Sequence, residues 1–197
     1  MVRTESTMLP LGTKAPDFTL PNTDGNQVSL ADYSDCRALL VMFICNHCPY
    51  VKHVADQLKV LADDYSQKGV SVVAISSNDA DKYPDDSPDA MAKEKEERGY
   101  PFEYLFDEDQ SVAQAYRAAC TPDFYLFDSN QELFYRGQLD SSRPNSGIPV
   151  TGEDLRHAID TVLSGESAPE TQRPSLGCNI KWKEGNEPQY FNPQGTS

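Results

Sequence analysis

Five cysteines occur in this chain, and two of them, Cys45 and Cys48, stand two residues apart with His47 between them. A thiolate is the reactive form of cysteine. A pair at this spacing therefore suits exchange chemistry, in which one sulfur attacks a disulfide and the other resolves the mixed disulfide. Cys45, first of the pair, is expected to carry the lowered pKa and act as nucleophile. Cys48, one helical turn on, is expected to release the substrate. A protonated His47 adds positive charge beside the thiolate and makes the pair more oxidising, with Lys52 and His53 adding a weaker bias. Two other readings use the same residues. Cysteine is a small residue that cores often bury, and Cys45, Cys48, His47 and His53 together carry donor types found in tetrahedral metal sites.

The flanking residues favour the exchange chemistry. Ala38-Leu39-Leu40-Val41-Met42-Phe43-Ile44 is an unbroken apolar run, partly β-branched and aromatic, and predicts a strand buried on both faces. Pro49 suits the first turn of a helix, whose N–H groups lack partners in any case. Val51, Val54, Leu58, Leu61 and Tyr65 then recur every three or four residues, the apolar face of an amphipathic helix. The pair thus sits where a buried strand turns into a helix N-terminus. Unpaired N–H donors and the positive end of the helix dipole stabilise a thiolate there. Gly69 suits the helix C-terminus, and Val70–Ser76 predicts a second buried strand. Strand, helix and strand over this length predict a βαβ unit with parallel strands.

Elsewhere, residues 18–30 predict two short strands joined at Asp24-Gly25, with Ser29 capping a helical turn over Leu30–Tyr33. Cys36 falls in a polar setting at the surface. Asp79, Asp81, Asp85, Asp86 and Asp89 lack the spacing of a calcium loop and are read as a solvated loop. Ser87 and Pro88 are N-cap and first residue of a helix that runs to Arg98 and ends at Gly99. Further elements are a strand at Tyr104-Leu105-Phe106, a helix over 111–118 capped by Ser111, and strands over 124–127 and 133–137. Thr151 and Asp154 form a capping-box-like start for a helix over 155–163. From Gly165 onward prolines, glycines and polar residues dominate, with Ile180, Trp182, Tyr190 and Phe191 as anchors, so the tail is an extension rather than a second domain.

Phe43-Ile44-Cys45-Asn46-His47-Cys48-Pro49-Tyr50-Val51 resembles the active-site segment of the thioredoxin superfamily, and most of all its peroxiredoxin-like, or redoxin, branch. Gly12 to Leu20 is similar to the opening strand of redoxin domains, and Cys120 to Asp128 to the segment that holds the superfamily's cis-proline. The resemblance implies an α/β thioredoxin-like fold, with a central mixed β-sheet flanked by helices, an N-terminal β extension and a C-terminal tail. It implies a polar leader over 1–10, a redoxin domain over 11–164 and an extension over 165–197. It makes Thr121-Pro122 the cis peptide beside the thiol pair, presenting an extended backbone edge to a substrate strand and keeping metal from the sulfurs. Cys120 and Cys178 are then candidate auxiliary thiols. Cys178 is a tail cysteine that could fold back to resolve Cys45, as tail cysteines do in some peroxiredoxins. Typical peroxiredoxins place threonine three residues before the peroxidatic cysteine. Here Met42 holds that slot for Cys45, a departure that Arg117 or Arg136 could offset if folded near.

The composition sets the outer limits. A chain of 197 residues makes one domain with a substantial core, or one domain plus an extension. A net charge of −14 argues against nucleic acid and anionic membranes as partners. Mean hydropathy is −0.60, no apolar run reaches membrane-span length, and the first ten residues lack a signal-peptide core. Five cysteines without a regular framework do not form a disulfide-stapled secreted domain. The expectation is a cytoplasmic thiol–disulfide oxidoreductase acting on protein or small-molecule disulfides with a cellular thiol reductant and no cofactor or metal, or else a thiol peroxidase.

Overall fold

The computed structural model describes residues 2–195; Met1 of the leader and Thr196 and Ser197 of the tail lie outside the described residues. Its strands are β1 (Arg3–Glu5), β2 (Thr19–Pro21), β3 (Gln27–Ser29), β4 (Ala38–Phe43), β5 (Val70–Ser76), β6 (Glu103–Phe106), β7 (Cys120–Thr121), β8 (Asp123–Asp128), β9 (Leu133–Gly137) and β10 (Leu176–Asn179). Its α-helices are α1 (Pro49–Ser66), α2 (Pro88–Arg98), α3 (Ser111–Ala115) and α4 (Glu153–Ser164). No helix among them is long and apolar enough to cross a membrane.

β4 lies at the centre of a mixed five-stranded sheet in the order β6-β5-β4-β8-β9. It pairs parallel with β5 and antiparallel with β8. All six of its residues are buried, because alternate side chains meet a packed layer on each face. Leu40 and Met42 pack with Val54, Leu58 and Leu61 of α1 and with Leu155 and Ile159 of α4. Leu39, Val41 and Phe43 meet Phe18, Val112 and Tyr116, and also Ile180 and Trp182 of the tail. The fold is the thioredoxin-like α/β arrangement that the resemblance implied.

The two ends of the chain meet on the domain, where the tail packs through Ile180, Trp182, Tyr190 and Phe191. Rather than forming a separate polar leader, Arg3–Glu5 pairs antiparallel with β10 in the C-terminal extension. β10 in turn pairs with β7, so a three-stranded sheet ordered β1-β10-β7 ties both ends to the Thr121-Pro122 segment. Two helix starts also differ. Gln110, at φ 66°, is the N-cap of α3, and Ser111 is its first residue. The Thr151–Asp154 capping box does not form. Asp154 accepts a hydrogen bond from Gln138 Nε2 (2.6 Å), and Asp140 Oδ2 instead takes the N–H groups of Thr151 and Gly152 at 2.8 and 2.6 Å. Asp140 thus fixes the two residues ahead of the helix, while Thr151 Oγ1 accepts from Glu153 N (3.3 Å) and Leu139 O from Leu155 N (3.1 Å) at its first turn.

Candidate active site

Cys45 lies just beyond the end of β4, and Cys48 is the N-cap of α1, with Pro49 at its first position. Thr121 joins the two sulfurs. Its Oγ1 is 3.3 Å from Cys45 Sγ, and its carbonyl oxygen is 3.1 Å from Cys48 Sγ. The Thr121-Pro122 peptide bond is cis. The structure therefore gathers Cys45, Cys48, Thr121 and Pro122 at one point. That point is enclosed, since Cys45 is 1% exposed and Cys48 0%. An incoming disulfide reaches sulfur only if a covering segment moves.

The group that shapes the loop between the cysteines is Asp86, one of the carboxylates read as solvated. Asp81, Asp85 and Asp89 are exposed as expected, but Asp86 is fully buried and Asp79 nearly so. Asp86 Oδ1 accepts from the backbone N–H of Asn46 (2.8 Å) and of His47 (3.3 Å). Its Oδ2 accepts from Asn78 Nδ2 (2.7 Å) and lies 2.5 Å from His47 Nδ1. His47 also stacks on Tyr83, with ring centroids 5.4 Å apart. Asn46 is pinned by its own side chain, accepting from Tyr104 Oη at 3.0 Å and donating to Asp85 O at 2.9 Å. Nothing in the sequence distinguishes Asp86 from its acidic neighbours. Only folding carries the 3-10 turn Pro84–Asp86 up to the end of β4.

This arrangement reverses the expected charge distribution in the pair. Cys45 sits above the ordinary thiol range, held there by its hydrogen bond with Cys48, by burial and by the Asp86 carboxylate. A protonated His47 would face Asp86, and such a pair presents Cys45 with little net positive charge. Cys48 lies below the ordinary range, because the thiols of Cys178 and Cys45 and the N–H of Val51 at the helix start all support its thiolate. Burial opposes this lowering, and the Thr121 hydroxyl adds to it.

Cys178 reaches the site through β10. It lies opposite Thr121 in the β10–β7 register, is 3% exposed, and hydrogen-bonds Cys48. Cys120 is fully buried; its Sγ is 3.6 Å from Pro122 O, and burial and Asp123 push its thiol up. Cys36 is half-buried and bonds Tyr33 O. Lys52 is exposed, and His53 Nε2 pairs with Ser142 Oγ at 2.7 Å. The two arginines are engaged away from Cys45. Arg136 is fully buried, 3.1 Å from Asp123 and over the ring of Tyr125, while Arg117 stacks on Tyr190. Among the described residues, the metal-type donors that converge are Cys45, His47 and Asp86, within 4.8 Å of one another, and not the set containing Cys48 and His53. Asp86 is already occupied there by the two backbone N–H groups, Asn78 and His47.

The crystal structure of a conserved, uncharacterized protein from Geobacillus kaustophilus is 61% identical, with a TM-score of 0.91, covering 93% of this chain and 97% of that one. The thiol-disulfide oxidoreductase ResA of Geobacillus kaustophilus is 27% identical over 130 residues, 66% of this chain and 70% of its own. Peroxiredoxin Bcp of Escherichia coli is 31% identical over 108 residues, 55% of this chain and 64% of its own. The AhpC/TSA family pattern matches residues 11–136, the stretch that contains the thiol pair, the buried Asp86 and the Thr121-Pro122 segment. By fold, site and sequence, this chain belongs to the AhpC/TSA family of the thioredoxin superfamily.

Proposed function

We propose that this protein is a thiol–disulfide oxidoreductase using Cys45 and Cys48 as its redox pair, acting on protein or small-molecule disulfides and recharged by a cellular thiol. One observation carries the reading: both sulfurs converge on Thr121, Cys45 through its hydroxyl and Cys48 through its carbonyl. In the reduced pair, Cys48 thiolate takes the proton of Cys45. The Cys45 thiolate attacks the substrate disulfide, forms a mixed disulfide and expels one substrate thiolate, which takes the proton from Cys48. Cys48 thiolate then attacks Cys45 Sγ, closing the Cys45–Cys48 bond and releasing the second substrate thiolate. The pair loses two electrons and the substrate gains them. The helix start and the Cys178 thiol favour ionised Cys48, the species that closes the bond. His47, held by Asp86, fixes the loop around Cys45.

A second reading, a thiol peroxidase that uses Cys45, is supported by the family and by the likeness to peroxiredoxin Bcp. Its weak points are Met42, buried in the threonine slot, and Arg136, committed to Asp123. Alkylation of the protein at fixed glutathione poise, read by mass spectrometry with and without peroxide, separates the two. The oxidoreductase forms a reversible Cys45–Cys48 disulfide that excess peroxide leaves unchanged. Rapid sulfenate on Cys45 under peroxide reverses the ranking.

A further inference from the structure

β10 does not merely cover the domain. It runs antiparallel along β7, the two-residue strand that leads into Pro122, with Cys178 opposite Thr121 and Asn179 opposite Cys120. The approach is close enough that a Cβ on Gly177 would lie 2.0 Å from Thr121 O. β10's other edge is filled by β1. The backbone edge beside the thiols, where an extended substrate would pair, is therefore taken by the chain's own tail.

The tail is also fastened on the far side of Cys178. Asn78 Oδ1 accepts from Lys181 N (2.8 Å), Asp79 N donates to Lys181 O (2.8 Å), and Gln110 Nε2 donates to Lys181 O (2.9 Å). Asn78 is the residue whose amide also donates to Asp86, so one side chain links the tail to the active-site loop. Within this frame Cys48 occupies the middle place among three sulfurs, in contact with Cys45 on one side and Cys178 on the other. All three lie in one buried cluster.

We propose that Cys178 is a third exchanging thiol: it attacks Cys48 of the Cys45–Cys48 disulfide, and the Cys48–Cys178 bond that forms latches β10 over the docking edge. The step rests on the redox-pair reading above. Cys178 loses its proton and its thiolate bonds to Cys48 Sγ; the Cys45–Cys48 bond breaks, and Cys45 leaves as thiolate and takes up that proton. No electron enters or leaves, so the step needs no further oxidant. It converts an oxidised form in which β10 is held on β7 by hydrogen bonds alone into one in which β10 is covalently latched and Cys45 is a thiol. Reduction by the recharging thiol opens the latch again.

The test is disulfide mapping of the wild-type protein after oxidation with one equivalent of diamide, quenched with iodoacetamide and digested without reductant. The expected result is two species: one linked Cys45–Cys48 with Cys178 carbamidomethylated, the other linked Cys48–Cys178 with Cys45 carbamidomethylated. Cys178→Ser loses the second species and keeps the first, and Cys45→Ser forms the Cys48–Cys178 bond alone. In the latched species, amide hydrogen exchange of residues 176–181 is slowed relative to the reduced protein. A Cys45–Cys48 bond with no Cys48–Cys178 bond in either wild type or Cys45→Ser overturns the latch and leaves the oxidoreductase reading standing. Absence of the Cys45–Cys48 bond as well overturns both. Because the wild-type map decides the question, a variant that fails to fold does not.

Discussion

The carboxylate of Asp86 lies within 4.8 Å of the Cys45 sulfur, and it acts in two ways. It gathers the N–H groups of Asn46 and His47, which fixes the loop, and it opposes ionisation of Cys45. Asp86→Asn keeps an oxygen for the backbone donors and removes the charge. The variant's Cys45 thiol should titrate lower than the wild type's, and its alkylation at neutral pH should rise several-fold, read by mass-resolved iodoacetamide kinetics across a pH series. An unchanged profile would show that burial and Cys48 alone hold Cys45 up. Asp86→Ala is expected to be harsher, since each buried donor left without an acceptor costs about 1–3 kcal/mol. The candidate cysteines were legible because two sulfurs, a strand and a helix-opening proline occur in one short stretch. Asp86 was not, because its role depends on burial, and a carboxylate so far along the chain carries no local sign of it.

At the scale of elements, the strand and helix that bracket the thiols are local objects. β4 and α1 follow from an apolar run and a helical period, and both occupy the residues those patterns indicated. β10 is different. It is four residues long, Leu-Gly-Cys-Asn, in a segment rich in proline and polar residues, and it is a strand only because β1 and β7 flank it. Gly177 is where that pairing is tightest. Gly177→Ala places a methyl group against the Thr121 carbonyl, which backbone cannot yield cheaply. The expected cost is about 2 kcal/mol or more. It should appear as a lowered thermal midpoint together with faster proteolytic cleavage of residues 166–181. A variant as stable and as protease-resistant as the wild type would mean that the tail lies less closely on β7 than described.

The whole molecule buries an unusual set of weak acids. Cys45, Cys120 and Cys178 all lie above the ordinary thiol range, and Tyr104, Tyr116 and Tyr125 above the ordinary phenol range; burial is the leading cause for Cys120 and the three tyrosines. For Cys45 and Cys178 the hydrogen bond with Cys48 comes first. In the unfolded chain these groups titrate at their ordinary values of 9.0 and 10.0. A group whose folded pKa is raised contributes stability that is complete below its unfolded pKa and is lost as pH rises toward the folded one. Cys48 has the opposite sign: its contribution is complete above 9.0 and declines as pH falls toward its folded value of about 2. Together the thiols favour the folded state most near the ordinary thiol pKa, and the molecule should weaken steeply above it. The urea midpoint measured at about pH 10.5 should lie clearly below that at about pH 8.5, since a tenfold difference in one group's proton affinity between folded and unfolded chain is worth roughly 1.4 kcal/mol. A flat midpoint over that range would contradict the burial of these groups.

That a proline segment faces the thiols came from the family resemblance; the sequence by itself determined the frame, a thiol pair at a strand-to-helix junction with a parallel βαβ unit around it. These are properties of neighbouring residues, set by side-chain period, by proline's missing N–H and by the nucleophilicity of sulfur. The tertiary structure decided which sulfur carries the charge and what covers it. Cys48 is the favoured thiolate because Cys178, far along the chain, donates to it, and Cys45 is disfavoured because Asp86 folds against it. β10 pairs with β7 and β1 with β10, which closes the site, and Asp140 fixes the two residues ahead of α4. Each of these depends on long-range contact, where burial strengthens hydrogen bonds and charge effects that would be weak in water.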